Sequence, residues 1–296
     1  MIVLIEIILS SLHPVIPSSC HPVILSSLHP VILSSCLMIE FTNVTFAYPA
    51  ARPVFERFTW SIARGAAWAV IGASGGGKTT LLMLLAGLRQ PTRGSITIDG
   101  QSVDRPRPQT GLVLQEYGLL PWATVAQNAA LGLRVRDYYG PDGRHAPVEY
   151  VMGPLQQRVD PWLKRLGIDA LRDKFPSQIS GGQRQRAAIA RTLALEPDLL
   201  LMDEPFAALD APTREDLQNL TVELQREQNL TLIFVTHNIE DAVFLGRKIL
   251  ALGQPPHTTP VVIDNPQAGT LAYRSEPAFF EMCARVRESL MRHVHA

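Results

Sequence analysis

Residues 72–80 read GASGGGKTT, with glycine at four of the six positions 72–77. Glycine gives up more backbone freedom on folding than any other residue, so such a loop needs a compensating use. On its N-terminal side stands the apolar run Trp68-Ala-Val-Ile71. On its C-terminal side a leucine-rich pattern runs from Thr79 to Gly87. The order predicts strand, glycine loop, helix. The spacing is G-x-x-x-x-G-K-[ST], with Gly72, Gly77, Lys78 and Thr79 at the fixed positions. Without Cβ atoms, the backbone N–H groups from Gly72 through Ala73, Ser74, Gly75, Gly76 and Gly77 can converge on phosphate oxygens. The helix that follows adds unpaired N–H groups and the positive end of its dipole. Lys78 then reaches the β- and γ-phosphates, the Thr79 hydroxyl binds Mg²⁺, and Thr80 helps hold phosphate.

This loop predicts a P-loop nucleoside triphosphatase of α/β class, but not which kind. The rest of the chain narrows it. Residues 199–204 read LLLMDE, an apolar run of the kind that forms a strand buried on both faces, ending in two carboxylates. Ligands of open α/β sheets sit at the carboxyl ends of strands. Asp203 is therefore placed to hold Mg²⁺ and Glu204 to polarise the attacking water. A second apolar run, LTLIFVT at 230–236, leads directly into His237, placed to touch the γ-phosphate and orient Glu204 or the water.

Between these lies Ile179-Ser180-Gly181-Gly182-Gln183, ahead of a strong helix pattern at 187–195. A serine cap followed by free N–H groups is a second anion-binding device. One polypeptide rarely needs two for one triphosphate. The economical reading is that the second serves the nucleotide of another subunit.

Taken in this order, the motifs resemble the ATP-binding subunit of an ABC transporter, over about residues 38–252. Ser180, Gly181, Gly182 and Gln183 match the family signature, with Ile179 where leucine is usual. Ala208-Leu209-Asp210 looks like its D-loop, His237 like its switch histidine, and Gln115 like its Q-loop glutamine, a further Mg²⁺ ligand. Tyr48, in TFAYP, stands where an aromatic ring stacks on adenine. The resemblance implies a RecA-like core, an antiparallel β subdomain near 38–70 and 94–100, and an inserted helical subdomain at about 118–190. It further implies a head-to-tail homodimer sandwiching ATP and Mg²⁺, and transmembrane permease subunits. A solute-binding protein would be an indirect partner, and the chain would lie at the cytoplasmic face of the plasma membrane. DEPFAALDAPTREDLQ and FVTHNIEDAVFL are similar to the nitrate, sulfonate and taurine importer group, except that Asn238 stands where that group has Asp. The residues at 115–122, QEYGLLPW, are the expected docking face for the permease.

The bulk numbers agree. The chain has 296 residues, 46% hydrophobic, with 27 basic and 27 acidic side chains. Zero net charge gives no nucleic-acid footprint. Three cysteines without metal-ligand spacing argue against a disulfide scaffold or a zinc site. Residues 1–37 differ: SSLHPVIP, SSCHPVIL and SSLHPVIL form an octapeptide repeat without Lys or Arg, in which every block carries a proline. We read Met38 as the biological start and this leader as low-complexity. After residue 252, a Pro-rich loop precedes a helix at about 277–295, with Phe280, Ala284, Val286, Leu290 and Val294 as the expected apolar positions. Residues 137–154, rich in Gly, Pro and Tyr, read as a lengthened surface loop. Two other classes remain: a soluble ABC-type ATPase acting on nucleic acid or the ribosome, and a P-loop kinase. The first usually brings coiled-coil or zinc modules or tandem cassettes. The second has no use for Ser180–Gln183.

Overall fold

The computed structural model describes residues 37–294. The octapeptide leader lies outside the described residues except for Leu37, which opens β1. Two sheets organise the chain. A four-stranded sheet has the order β2-β1-β4-β5, from β1 (Leu37–Ala47), β2 (Pro53–Ala63), β4 (Arg93–Ile98) and β5 (Gln101–Ser102). A six-stranded sheet has the order β10-β9-β3-β8-β7-β6, from β3 (Ala67–Gly72), β6 (Thr110–Val113), β7 (Leu199–Asp203), β8 (Thr231–Thr236), β9 (Lys248–Leu252) and β10 (Val261–Asp264). In the larger sheet β6, β7, β8, β3 and β9 run parallel, and only the edge strand β10 is antiparallel.

The parallel strands are buried on both faces, which is why β3, β7 and β8 read as unbroken apolar runs. Alternate residues still divide between two cores. Ala69, Ile71, Leu200, Met202, Leu232 and Phe234 face one side, against the helices. Val70, Leu199, Leu201, Ile233 and Val235 face the other, against α1 (Lys78–Leu85) and the four-stranded sheet. That second core is rich in rings: Trp60 meets the edge of Trp68 at 5.0 Å, and Phe41 lies 5.6 Å from Trp60.

Residues 125–193 carry a layer of helices: α2 (Val125–Ala129), α3 (Leu131–Tyr139), α4 (Leu155–Arg165) and α5 (Gly181–Leu193). The segment read as a surface loop at 137–154 begins inside α3, and its middle is anchored. Ala146 and Tyr150 are buried, and the Tyr150 hydroxyl donates to Asp137 at 2.6 Å. The guanidinium groups of Arg136 and Arg158 lie 5.6 and 5.0 Å from the Tyr150 ring.

α6 (Ala211–Glu227), α7 (Ile239–Leu245) and α8 (Pro277–Val294) complete the chain, with α8 against α7 and β9. The apolar stripe of α8 differs from the expected one. Phe279, Met282, Cys283 and Val286 are buried, while Phe280 and Ala284 face out and Leu290 is half-buried. Val294 is not described at the side-chain level. The inward stripe includes a thioether, a thiol and, one turn on, Ser289. Val286 is buried as expected, and the rest of the inward stripe falls at Phe279, Met282 and Cys283.

Candidate nucleotide-hydrolysis site

The C-terminal ends of adjacent parallel strands assemble the site. β3 ends at Gly72 and leads into the glycine loop, β7 ends at Asp203, and β8 ends at Thr236, one residue before His237. At Gly72 the backbone runs close against β9, where a side chain would collide with the Leu252 carbonyl oxygen. Gly77 starts α1 at φ 89°, and a Cβ there would strike Val54. Both glycines are therefore required by the path of the loop itself.

Gly77 is the N-cap of α1 and offers no side-chain acceptor, so the first N–H groups of that helix have no side-chain cap. Lys78 bends back over the loop, and its Nζ donates to Gly72 O at 2.8 Å and Ala73 O at 3.0 Å. Burial pushes the Lys78 ammonium pKa down, while Glu204 and Asp203 pull it up. Thr79 Oγ1 donates to Asp203 Oδ2 at 3.2 Å. Burial raises the Asp203 carboxyl above its usual range. Thr80 is buried, with its hydroxyl 3.1 Å from Tyr48 OH. The Tyr48 ring packs edge-on against Phe46 at 5.0 Å and carries the Arg89 guanidinium over its face at 5.8 Å.

Glu204 follows β7 with φ 47°, a left-handed conformation uncommon for a non-glycine residue. Its own N–H donates to Val235 O at 3.0 Å. Its carboxylate Oε2 accepts from His237 Nδ1 at 2.9 Å, so that nitrogen carries the proton. The carboxylate is mostly covered at 12% exposure, whereas the imidazole is 66% exposed. The pair thus presents one shielded carboxylate and one accessible ring.

Behind His237, Asn238 caps α7. Its Oδ1 accepts from Glu240 N at 2.8 Å and Asp241 N at 3.2 Å. Asparagine caps as well as aspartate does, so this departure from the importer group keeps the local structure. Asp241 is buried and accepts from Gln218 Nε2 at 2.7 Å and Thr236 Oγ1 at 3.5 Å. Burial raises its carboxyl to about 6. The carbonyl end of Gln218 accepts from Arg274, which ties the C-terminal segment to the turn bearing His237. Sequence reading passed over this relay, because no motif marks Gln218 or Arg274.

Three expected groups stand apart. Ser180 caps α5 and closes a capping box with Gln183: Gln183 N donates to Ser180 Oγ at 3.3 Å, and Ser180 N to Gln183 Oε1 at 2.9 Å. Among the described residues, no hydrogen bond joins Ser180, Gly181, Gly182 or Gln183 to the 72–80 loop. Ile179 is buried, as an apolar residue at that position should be. Asp210 caps α6 through Thr213 N at 3.4 Å, and the Thr213 hydroxyl and N–H hold its carboxyl below the usual range. Gln115 follows β6 and is exposed, with no hydrogen bond to a described residue.

The 115–122 segment is nevertheless fixed from beneath. Arg191 donates to the carbonyls of Tyr117 and Gly118 at 2.8 and 2.6 Å. The Asn128 amide, fully buried, donates to the carbonyls of Leu120, Ala123 and Thr124 and accepts from Leu120 N at 2.7 Å. Trp122 stands 73% exposed on this braced turn.

For the metal, Thr79 and Asp203 already converge through hard oxygen donors. Mg²⁺ prefers one or two such protein ligands alongside phosphate and water. The Thr79 and Asp203 oxygens fit that role, and the structure does not bring Gln115 against them. No group of three or more His, Cys, Asp or Glu gathers to hold a metal ion among the described residues.

A glycine loop between a parallel strand and a helix, with an acid pair on the neighbouring strand, defines a P-loop nucleotide hydrolase of α/β class. Residues 55–207 match the family described as ABC transporter, and the chain belongs to that family. It is an ATP-binding, ATP-hydrolysing cassette. It is 38% identical over 212 residues to the aliphatic sulfonates import ATP-binding protein SsuB of Bacillus cereus, covering 72% of this chain and 78% of that one. With the taurine import ATP-binding protein TauB of Rhizobium johnstonii it shares 40% over 222 residues, covering 74% and 80%. The dimeric structure of MJ0796, a bacterial ABC transporter cassette, superposes with a TM-score of 0.63 at 31% identity, covering 73% of this chain and 94% of that one.

Proposed function

We propose that the chain energises import of a small anionic solute of the sulfonate and taurine class through separate permease subunits, working as a head-to-tail pair. The names of its relatives support the solute class. No helix among the described residues is long and apolar enough to cross a membrane. The observation that carries the reading is the Glu204–His237 contact beside the loop that holds Lys78.

In this reading Lys78 leaves its loop carbonyls to pair with the β- and γ-phosphates. The N–H groups of 75–80 surround the phosphate oxygens, and Tyr48 faces the base. Thr79, Asp203 and Gln115 would hold Mg²⁺, which offsets phosphate charge when bound. Glu204 accepts a proton from the attacking water, and its covered position sharpens the interaction by excluding solvent. His237 holds Glu204 through Nδ1–H and turns its exposed edge toward the γ-phosphate. Ser180, Gly181, Gly182 and Gln183 complete the partner copy's site, with Asp210 at the seam. The braced 115–122 turn, with Trp122 outward, receives the permease.

Tagged protein recovered from its native membranes in mild detergent tests this. Co-purification of a multi-spanning permease, with loss of growth on taurine or an alkanesulfonate as sulfur source when the chain is deleted, is the expected result. Recovery of ribosomes or nucleic acid instead, with ATPase activity intact, would transfer the cassette to the soluble class.

A further inference from the structure

His257 lies in GQPPHTTP, a loop between β9 and β10 that no motif marks. The structure places its imidazole under the phosphate loop. The side chain is buried, and Nε2 lies 2.8 Å from the carbonyl oxygen of Gly76. A carbonyl only accepts, so Nε2 carries the proton and the ring is held as that tautomer. The ring also lies against Phe55, at 5.5 Å and tilted 43°. The backbone is fixed as firmly. His257 N donates to Val54 O, Glu56 N donates to His257 O, both at 2.9 Å, and Phe55 and His257 form a parallel bridge. One residue thereby joins β2, the 253–259 segment and the glycine loop.

The consequence concerns the next peptide. Gly76 is buried, and a Cβ there would come within 3.0 Å of Gly253 O, so the 253–257 segment fills one side of it. The Gly76–Gly77 peptide is trans, which points the Gly77 N–H opposite to the Gly76 carbonyl. With the carbonyl held by His257, the Gly77 N–H faces away from that segment. Both residues are glycine, so no side chain resists rotation of this peptide. Without an external acceptor-holding group, the peptide is free to turn its N–H away.

We infer that His257 is a positioning residue for the phosphate cradle: its Nε2–H fixes the Gly76 carbonyl and so aims the Gly77 N–H at the bound phosphate. The inference rests on the 72–80 loop being that cradle. It assigns a role to the 253–259 segment, which lies outside every motif of the site.

The test compares purified full-length His257→Phe and His257→Gln with wild type. Phenylalanine fills the space and keeps the ring contact but has no donor, whereas glutamine restores an N–H of similar reach. Affinity for Mg-ADP is measured by calorimetry and thermal stability without nucleotide by melting, with Lys78→Ala as the control. The expected result is a loss of Mg-ADP affinity of about 5- to 30-fold in His257→Phe, the scale of one buried carbonyl left unpaired. His257→Gln should recover most of it. Wild-type affinity in a folded His257→Phe, while Lys78→Ala binds weakly, overturns the role of His257 and leaves the cradle standing. Wild-type affinity in Lys78→Ala removes the cradle itself. Should His257→Phe fail to fold, long-range ¹H–¹⁵N spectra of the wild-type imidazole decide the matter. An Nε2–H tautomer insensitive to mild acid agrees with the inference, and an Nδ1–H tautomer refutes it.

Discussion

Two helices of this chain begin with glycine-rich turns, and they treat their N-termini in opposite ways. α1 starts at Gly77 with no side-chain cap, and the nearest side chain that could fill the space, Lys78, is a cation that bends away onto carbonyls. α5 starts at Ser180 with both ends of a capping box closed. The first helix leaves its first N–H groups without a side-chain cap, beside the Lys78 ammonium. The second satisfies the Gln183 and Ser180 N–H groups within the chain. An anion reaching α5 must compete with an internal cap worth about 1 kcal/mol, whereas α1 offers no such competitor. On the reading proposed above, the difference separates a helix end that binds phosphate within its own chain from one that meets the phosphate of a partner copy.

The largest test bears on the chemistry beside α1. Glu204→Gln should lower ATP turnover by roughly 10²- to 10⁴-fold while Mg-ATP still binds, as read by steady-state phosphate release and calorimetry. Turnover near wild type would remove Glu204 as the base. Next, Lys78→Ala should weaken nucleotide binding itself by about 10- to 100-fold, the scale of a lost charged hydrogen bond. An equal loss at α5 in the isolated chain would erase the contrast between the two helices.

Ser180→Asp sharpens it from the other side. Aspartate caps as well as serine, so the melting temperature should hold, yet its charge would oppose a partner's phosphate. Affinity of the isolated chain for Mg-ADP should stay within about twofold, while turnover falls about tenfold or more, an effect of charge placed at a shared site. Unchanged turnover would mean that α5 is only a helix start.

The smallest effect concerns the relay behind His237. The Asp241 carboxyl is raised to about 6 from an ordinary 3.8, so its stabilising contribution is complete below about pH 4 and is lost as pH rises through about 6. Asp241→Asn cannot ionise. Its melting temperature relative to wild type should therefore rise by several degrees between pH 4 and 7, from a shift of roughly 1–3 kcal/mol. A difference that stays flat with pH would place the ionisation elsewhere.

The legible parts of this molecule were those where local chemistry forces residue type. The glycine loop, the LLLMDE strand and the strand before His237 could be read because a buried parallel strand must be apolar and its ligands must follow it. The helix at 277–294 was seen, and Val286 and Leu290 do pack inward, but Phe280 and Ala284 face out. Met282 and Cys283 fill the inward face beside Phe279, where an adaptable thioether and a small thiol suit a close-packed seam. His257, Asn128 and the Gln218–Arg274 link were invisible for a different reason. Each acts through a backbone carbonyl or an amide brought near by tertiary folding, and a carbonyl leaves no trace in the sequence.

α5 also connects distant points. Its first turn carries Gly181, Gly182 and Gln183, and eleven residues beyond the cap Arg191 grips the carbonyls of Tyr117 and Gly118. At 1.5 Å per residue that is a rod of roughly 16 Å. Its far end is bolted to the turn that carries Trp122, so this turn and the capped end are two ends of one lever. A push on the turn would be carried along that rod toward Ser180.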